Sequence, residues 1–130
     1  DTFLFNPNNG IVNISGGEGD DVLKLNTSGA YLDLIANQSA PAGQNMQLSG
    51  IDRIDLGAGN TLVLNANDVL SLSDSGQLIV DGGAGSSVIS AGQGWTNAGL
   101  IALGGVNYTD YSMGSAHLLI NQNISTQFIF

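Results

Sequence analysis

The amino-acid sequence predicts an all-β domain, either a β-roll or β-solenoid-like structure or a β-sandwich, with at most one short helix near residues 66–73. Apolar residues occur in short runs separated by Gly, Asn, Asp and Ser, which is the pattern of strands and turns. The runs follow one another at intervals of about 8–12 residues, a spacing typical of all-β domains. Glycine-rich turns at 16–21, 56–61 and 82–87 each lead into an apolar run, and this repetition favours a coil-like β architecture.

Each apolar run is interpreted as one strand, and one segment departs from the rhythm. Asn65 is followed three residues later by Asp68, an arrangement similar to a helix capping box. We therefore expect one or two helical turns there, with Val69 and Leu70 packing on the sheet and Leu72 as a further candidate. The predicted strands are 2–5, 11–14, 22–25, 31–35, 46–48, 53–56, 61–64, 77–80, 87–90, 100–103, 106–111, 117–120 and 126–130.

Composition restricts the classes of partner. The chain has 130 residues, enough for one domain, and we expect a single module over 1–130, excised from a longer secreted protein. Two basic residues against eleven acidic ones give a net charge of −9, which disfavours nucleic acid and anionic membranes and suits divalent cations. High acidity also simply favours solubility, and that interpretation stays open. No apolar stretch approaches the roughly 18 residues of a membrane span, and the absence of cysteine excludes disulfides and thiolate metal sites.

The segment 16–24, Gly-Gly-Glu-Gly-Asp-Asp-Val-Leu-Lys, carries the strongest chemical signal. It fits a nine-residue calcium-binding pattern at every specified position. Glycines allow a turn with positive φ in which carbonyl oxygens converge, and Asp21 adds a carboxylate, so that hard oxygen ligands suited to Ca²⁺ come together. The candidate ligands are Gly16, Glu18, Asp20 and Asp21, with Asp1 as a further candidate. A Gly-Asp turn that merely connects strands uses the same residue types, so a purely structural interpretation remains open.

The turns at 56–61 and 82–87 are weaker copies of this pattern. In both, the position of the aspartate holds a hydroxyl residue, Thr61 or Ser87. A neutral hydroxyl is a poorer ligand for a doubly charged cation than a carboxylate. We therefore expect these turns to keep the shape of the first one without most of its affinity for metal.

From residue 50 onward, short motifs follow one another at 51–56, 60–64, 68–73, 78–85, 94–96 and 116–120, together with Tyr108 and Tyr111. Their order resembles a module of very large bacterial adhesins of the RTX type, which are exported by type I secretion. The resemblance implies a secreted or cell-surface protein with calcium bound at residues 16–21. The chain departs from the family in lacking tandem repeats, so an isolated repeat supplies half a site.

The sequence offers little support for catalysis, and we expect no enzyme. His117 is the only histidine, and it lies in an apolar run, where a structural role is the simpler interpretation. Asp20 with Asp21, or Asp52 with Asp55, could form a pair of catalytic carboxylates. Asp52 and Asp55 flank Arg53, however, and a surface ion pair explains them more simply. No Gly-x-Ser-x-Gly elbow and no phosphate-binding loop occurs.

Aromatic residues raise a second hypothesis, carbohydrate or surface recognition. Trp95, Tyr108 and Tyr111 could stack against sugars if they were exposed, although a role in the core is the more common use of such residues. The expected partners are therefore calcium and either a cell-surface glycan or another adhesin module. A third hypothesis is a non-catalytic β-roll domain attached to a secreted enzyme.

Overall fold

The computed structural model describes residues 1–6, 13–35, 47–90, 94–124 and 126–129. Most of these residues lie in strands, and the short helix α1 spans Ala66–Leu72. The all-β prediction with a short helix near 66–73 is confirmed at this level. The strands are β1 (Thr2–Phe5), β2 (Asn13–Ser15), β3 (Val22–Leu25), β4 (Tyr31–Asp33), β5 (Gln47–Ser49), β6 (Arg53–Asp55), β7 (Thr61–Val63), β8 (Gln77–Asp81), β9 (Ser87–Ser90), β10 (Thr96–Leu103), β11 (Val106–Met113), β12 (Ala116–Asn121) and β13 (Thr126–Ile129).

The described strands form three sheets. The large sheet has the order β1-β3-β6-β8-β12-β11-β10, the second sheet has the order β13-β9-β7-β4, and β2 pairs with β5. All pairs are parallel except those that join β10, β11 and β12, which are antiparallel. Because these neighbours are parallel, the chain must return to the same end of the sheet before it starts each new strand.

The chain makes successive circuits that stack along the sheets, and we number the circuits by their first strand in the large sheet: β1, β3, β6, β8 and β12. The second, third and fourth circuits each pass from the large sheet to the second sheet before they return, through β4, β7 and β9. The described strand of the first circuit, β2, belongs to the two-stranded sheet instead. The register pairs Thr2 with Val22, Val22 with Arg53, and Gln77 with His117. The circuits therefore differ in length, and each is longer than two nine-residue repeats. The differences come from what each circuit inserts, such as α1 in the third and a hairpin in the fourth.

The core lies between the inward faces of the two larger sheets and α1. Side chains at alternate strand positions stack from circuit to circuit, as Phe3, Leu23, Ile54 and Val80 do in the register of the large sheet. Leu23, Ile54 and Val80 are completely buried, and Phe3 is partly buried against the same cluster. Burial of each Leu or Ile side chain contributes roughly 1.5–3 kcal/mol, which holds neighbouring circuits together without disulfides.

In the third circuit, helix α1 follows β7 at the place where the second circuit has β5 after β4. Asn65 accepts a hydrogen bond from the backbone N–H of Asp68 at 2.9 Å, and the Asp68 carboxylate accepts one from the backbone N–H of Asn65 at 2.8 Å. This capping box was predicted from the sequence. Ala66, Val69 and Leu72 face the core, whereas Leu70, predicted to pack on the sheet, is 44% exposed.

Most predicted strands are confirmed within one or two residues. The largest extension is at β10, which begins at Thr96 rather than residue 100, and β11 continues to Met113. Parts of the predicted strands 11–14, 46–48 and 126–130 lie outside the described residues. Across the described ranges, no helix has the length and apolarity that would be needed to cross a membrane.

Candidate functional site

The strongest candidate site lies where the chain enters the large sheet, which we call corner 1. It consists of residues 16–21, which precede β3, and residues 50–52, which precede β6. The register of the large sheet stacks Asp1, Asp21 and Asp52 at the positions just before Thr2, Val22 and Arg53. Since side chains alternate along a strand, these three positions share the inward parity of Leu23 and Ile54. The three aspartates therefore form a column in the register, in which Asp21 is buried at the edge of the core and the Asp1 side chain is mostly exposed.

Asp21 is the buried member of this column. It is only 2% exposed, and its Oδ2 atom has no hydrogen-bond partner within the described part of the chain. Its Oδ1 atom lies 2.6 Å from the backbone nitrogen of Asp1. A buried carboxylate oxygen without a partner is energetically costly, because burial removes the water that would otherwise solvate the charge.

Asp52, in the next circuit, is tied directly to Asp21. The backbone N–H of Asp21 donates to Oδ2 of Asp52 at 3.2 Å, and the backbone N–H groups of Asp52 and Arg53 both donate to the carbonyl oxygen of Asp21, at 3.0 and 3.1 Å. The Ser73 hydroxyl lies 3.2 Å from Oδ1 of Asp52 and brings the end of the third circuit to the same corner. The sequence did not identify Asp52 as a member of this site, because it lies 31 residues after Asp21, in a different sequence motif.

Glycines at corner 1 let two circuits approach closely. A Cβ atom at Gly16 would overlap the carbonyl oxygen of Gly50, and one at Gly50 would lie 2.7 Å from the backbone nitrogen of Gly17. Gly50 also has a φ of 65°, in the left-handed region that favours glycine. Gly16 is therefore required for space, whereas Gly17 and Gly19 adopt the positive φ values expected of the turn, 79° and 98°.

The other predicted metal ligands with charged side chains, Glu18, Asp20 and Asp1, face the solvent. Glu18 and Asp20 are exposed, and the Asp1 side chain is 82% exposed. Within the described residues, no group of three or more Asp, Glu, His or Cys side chains comes together at metal-binding distance. A cation at Asp21 would therefore need backbone oxygens or water in addition to carboxylates, which is compatible with the mixed oxygen ligands of calcium.

The chain leaves the large sheet at a different corner, corner 2, which is formed by the stacked turns 26–30, 56–60 and 82–86. Asn60 is completely buried there. Its Oδ1 accepts the backbone N–H of Ala30 at 2.8 Å, and its Nδ2 donates to the carbonyl oxygens of Thr27 and Leu56, both at 2.6 Å. One amide group thus bridges carbonyl oxygens of two circuits, the task that a bound cation would perform.

The weaker glycine turns belong to corner 2. In the structure, the residues that correspond to Asp21 lie one position earlier than the sequence alignment predicted. The glycine pattern aligns Thr61 and Ser87 with Asp21, but both are the first residues of strands, whereas Asp21 precedes its strand. The residues that precede the strands are Asn60 and Ser86, both completely buried. The hydroxyl of Ser86 donates to the carbonyl oxygen of Gly57 at 2.8 Å. Corner 2 therefore satisfies its inward polar groups with its own side chains.

Arg53 does not pair with the acids that flank it in sequence, and this interpretation of Asp52 and Asp55 was wrong. Its guanidinium forms an ion pair with Asp81 and lies 3.2 Å from the Tyr108 hydroxyl. Asp81 also accepts hydrogen bonds from the Tyr108 hydroxyl at 2.6 Å and from Asn121 Nδ2 at 3.1 Å. The register places Arg53 beside Ile79, so its side chain reaches Asp81 on the outer face of the next circuit. Asp55 instead accepts the backbone N–H of Gly57.

The surroundings of these groups shift their protonation equilibria. Burial raises the pKa of the Tyr108 phenol, and the hydrogen bond to Asp81 raises it further, against the opposing charge of Arg53. Burial lowers the pKa of Arg53, but hydrogen bonds and charge from Asp81 and Tyr108 outweigh burial and raise it overall. Both directions preserve the present network, with a neutral phenol and a charged guanidinium.

The predicted sugar-stacking residues are mostly covered. Trp95 is 8% exposed and belongs to the core, where its Nε1 donates to the Ser90 hydroxyl at 2.7 Å. Tyr108 is 2% exposed, and Tyr111 is partly buried against the core, which raises its pKa. Stacking of a sugar on Trp95 or Tyr108 would require the ring to leave its present position. His117 lies 3.3 Å from Asp110 on the adjacent strand.

A polar pocket lies where the hairpin of β10 and β11 turns next to the residues that follow β12. Its volume is about 240 Å³, and it is lined by Gly105, Val106, Asn107, Asn121, Gln122 and Asn123. No lining residue carries a charge. The sequence had given no sign of this pocket, because its two halves lie more than a dozen residues apart and contain ordinary turn residues.

Comparison with models of protein families, with curated proteins and with solved structures finds no match to this chain.

Proposed function

We propose that this chain is a non-enzymatic structural or adhesive module of a secreted bacterial surface protein, built as a β-solenoid and stabilised by calcium at corner 1. The observation that carries the calcium part is the buried carboxylate of Asp21, whose Oδ2 atom has no hydrogen-bond partner among the described residues. The structural part is supported by the stacked parallel circuits, whose inward side chains form one continuous core.

The contrast between the two corners strengthens the calcium proposal. At corner 2, the amide of Asn60 donates to carbonyl oxygens of two circuits, so no positive charge is required. At corner 1, the equivalent inward group is an aspartate, and a second carboxylate, Asp52, lies one circuit away. Bringing two carboxylates together at the edge of a core is unfavourable unless a cation or proton compensates the charge.

The residues at corner 1 suit a hard cation. Asp21 and Asp52 would supply carboxylate oxygens, and backbone oxygens of the turn 16–21 would supply the rest, with Glu18 and Asp20 at the solvent side. Calcium accepts six to eight such oxygen ligands in flexible geometry, whereas magnesium demands stricter octahedral geometry. The bound ion would supply positive charge that links the second and third circuits.

Placement in a secreted RTX-type adhesin rests on the motif at 16–24 and on the resemblance from residue 50 onward. A domain without cysteine that functions outside the cell needs another source of rigidity, and calcium supplies it on arrival in a calcium-rich medium. The alternative, a non-catalytic β-roll domain of a secreted enzyme, would be stabilised by calcium in the same way and would differ in being joined to a catalytic domain.

A second candidate function, recognition of a neutral carbohydrate, is favoured by the polar pocket beside Asn107. Amide groups both donate and accept hydrogen bonds, which matches the hydroxyl groups of sugars, and Val106 offers an apolar patch, being 37% exposed. This site differs from the aromatic residues considered first, two of which are buried.

Calorimetric titration with calcium, combined with thermal unfolding in calcium and in chelator, tests the main proposal. A ligand that binds only the folded state adds about 2.7 kcal/mol at a hundredfold excess over its Kd. The wild type should therefore melt several degrees higher in calcium. Asp21→Asn should lose the calcium effect. Because it replaces a buried carboxylate that has one oxygen without a partner among the described residues, it should be at least as stable as the wild type in chelator.

Asp55→Asn is the matched control, because it changes the same residue type on the neighbouring strand β6, outside corner 1. It should bind calcium as the wild type does. No heat of binding and an unchanged melting curve in the wild type would refute the calcium site. A calcium response that survives in Asp21→Asn would place the ion elsewhere.

A further inference from the structure

The strand β10 leaves an open edge on the large sheet. It pairs with β11 on one side only and stands last in the strand order, so within the described residues its other side carries no strand. Both faces are exposed along nearly all of Thr96–Leu103. Leu100 is 66% exposed and Ile101 is 38% exposed. Unpaired backbone N–H and C=O groups beside apolar side chains form a template for another strand.

This edge lacks most of the features that natural proteins use to block pairing. Between Gly94 and Thr109 the chain contains no charged residue and no proline. A register irregularity between Asn97 and Gly99 affects the start of β10, whereas pairing is regular from Leu100 to Leu103. Charged side chains, prolines, bulges and short length are the usual protections of an edge, and only the irregularity is present.

The distribution of charge indicates what can approach this edge. Residues 1–81 hold ten of the eleven acids and both basic residues, a net charge of −8, and residues 82–130 hold only Asp110, a net charge of −1. Because successive circuits stack in sequence order, most of the negative charge lies in the circuits that begin with β1, β3 and β6. The β10 edge is at the opposite, nearly neutral end. Two copies can therefore meet there with their acidic circuits far apart, whereas a contact between the β1 ends of two copies would bring acids together.

We propose that the occupant of this edge is a second copy of the chain, with two β10 strands paired antiparallel about a two-fold axis. Such a contact is closed, because the same edge serves both copies. The two large sheets would become one continuous sheet, and Leu100 and Ile101 would be covered by the same residues of the partner. This inference is independent of the calcium proposal, since it involves neither corner.

Sedimentation equilibrium of the 130-residue chain over a range of concentrations tests the proposal. The wild type should show a monomer–dimer equilibrium without larger species. Leu100→Lys places two like charges near the two-fold axis and should weaken the dimer at least about tenfold. Leu4→Lys is the matched control, because Leu4 on β1 is 67% exposed at the other end of the same sheet. It should leave the dimer unchanged.

Hydrogen exchange provides a second measurement. Backbone amides within 96–103 should become protected as concentration rises, and amides of β1 should not. A chain that stays monomeric at all concentrations, or a dimer that is lost in Leu4→Lys and kept in Leu100→Lys, would overturn the proposal. Open-ended growth would also overturn it, because it would mean that β10 pairs with a different edge.

Discussion

At the scale of single residues, the two corners differ in how their inward polar side chain is hydrogen-bonded. Each corner turns a polar side chain inward at the edge of the core, Asp21 at corner 1 and Asn60 at corner 2. Asn60 carries its own donors and is fully satisfied at 0% exposure, whereas Asp21 is an acceptor and keeps one oxygen without a partner within the described chain. A difference of one functional group thus separates a self-sufficient corner from one that suits a cation.

Exchange of this group at corner 2 gives a sharp prediction. Asn60→Asp would place a carboxylate against the carbonyl oxygens of Thr27 and Leu56, which now accept from the amide. We expect a loss of more than about 2 kcal/mol in chelator, because acceptors would face one another in a buried site. Calcium should recover part of the loss. Thermal unfolding of the variant in both conditions measures this.

Asn65→Asp is a suitable control for that experiment, since aspartate caps a helix about as well as asparagine. It should change stability little, with or without calcium. A variant Asn60→Asp that is as stable as the wild type in chelator would show that the hydrogen bonds of the Asn60 amide contribute little to corner 2.

At the scale of elements, the hairpin of β10 and β11 is fastened to the circuits through a polar cluster on the outer face. Tyr108 on β11 donates to Asp81 on β8 across the intervening strand β12, and Arg53 on β6 binds the same carboxylate. The cluster therefore links four strands of the large sheet. It also explains why Arg53 is unavailable to its sequence neighbours Asp52 and Asp55.

Tyr108→Phe should loosen this attachment and change the response to alkaline pH. Loss of the hydrogen bond to Asp81 should cost about 1–3 kcal/mol at neutral pH. The pKa of Tyr108 is raised above its ordinary 10.0, so its stabilising effect is complete below about pH 10 and is lost as pH rises through the folded-state pKa. Chemical unfolding measured from pH 8 to 12 should show a shallower alkaline decline in the variant.

Tyr31→Phe tests whether loss of any tyrosine hydroxyl has this effect. Tyr31 is 58% exposed on β4, far from the cluster, and its replacement should leave stability at neutral pH unchanged. If Tyr108→Phe proves equally harmless at neutral pH, the cluster does not hold the hairpin.

At the scale of the whole molecule, substitutions of Trp95 distinguish a structural function from glycan binding. Its ring lies in the core, so Trp95→Ala should cost on the order of 3–5 kcal/mol. Trp95→Phe keeps most of the volume, loses the hydrogen bond to Ser90 and should be milder. A folded Trp95→Phe protein should bind a glycan array no differently from the wild type.

Asn107→Ala is the complementary variant, because Asn107 is an exposed residue of the polar pocket. Loss of retention of a specific neutral glycan in Asn107→Ala, with an unchanged melting temperature, would favour the carbohydrate function. Binding that depends on Trp95 but not on Asn107 would instead support the aromatic site proposed from the sequence.

The local structure of this protein could be predicted from short stretches of its sequence. Alternation of apolar residues and the positions of glycine predicted most strands, and the pair Asn65 and Asp68 predicted the start of α1, because these signals act over a few residues. The turn with positive φ at Gly17, Gly19 and Gly85 was equally local.

Contacts between residues that are distant in sequence could not be predicted in this way, because they depend on how the circuits stack. The register between circuits set Asp52 against Asp21, turned Arg53 toward Asp81, and assigned the inward position at corner 2 to Asn60 rather than Thr61. Circuit lengths vary with their insertions, so no fixed spacing in the sequence encodes these contacts. Parallel pairing brings together residues separated by twenty to forty positions, and its register is selected by burial of the whole core, which no local pattern contains.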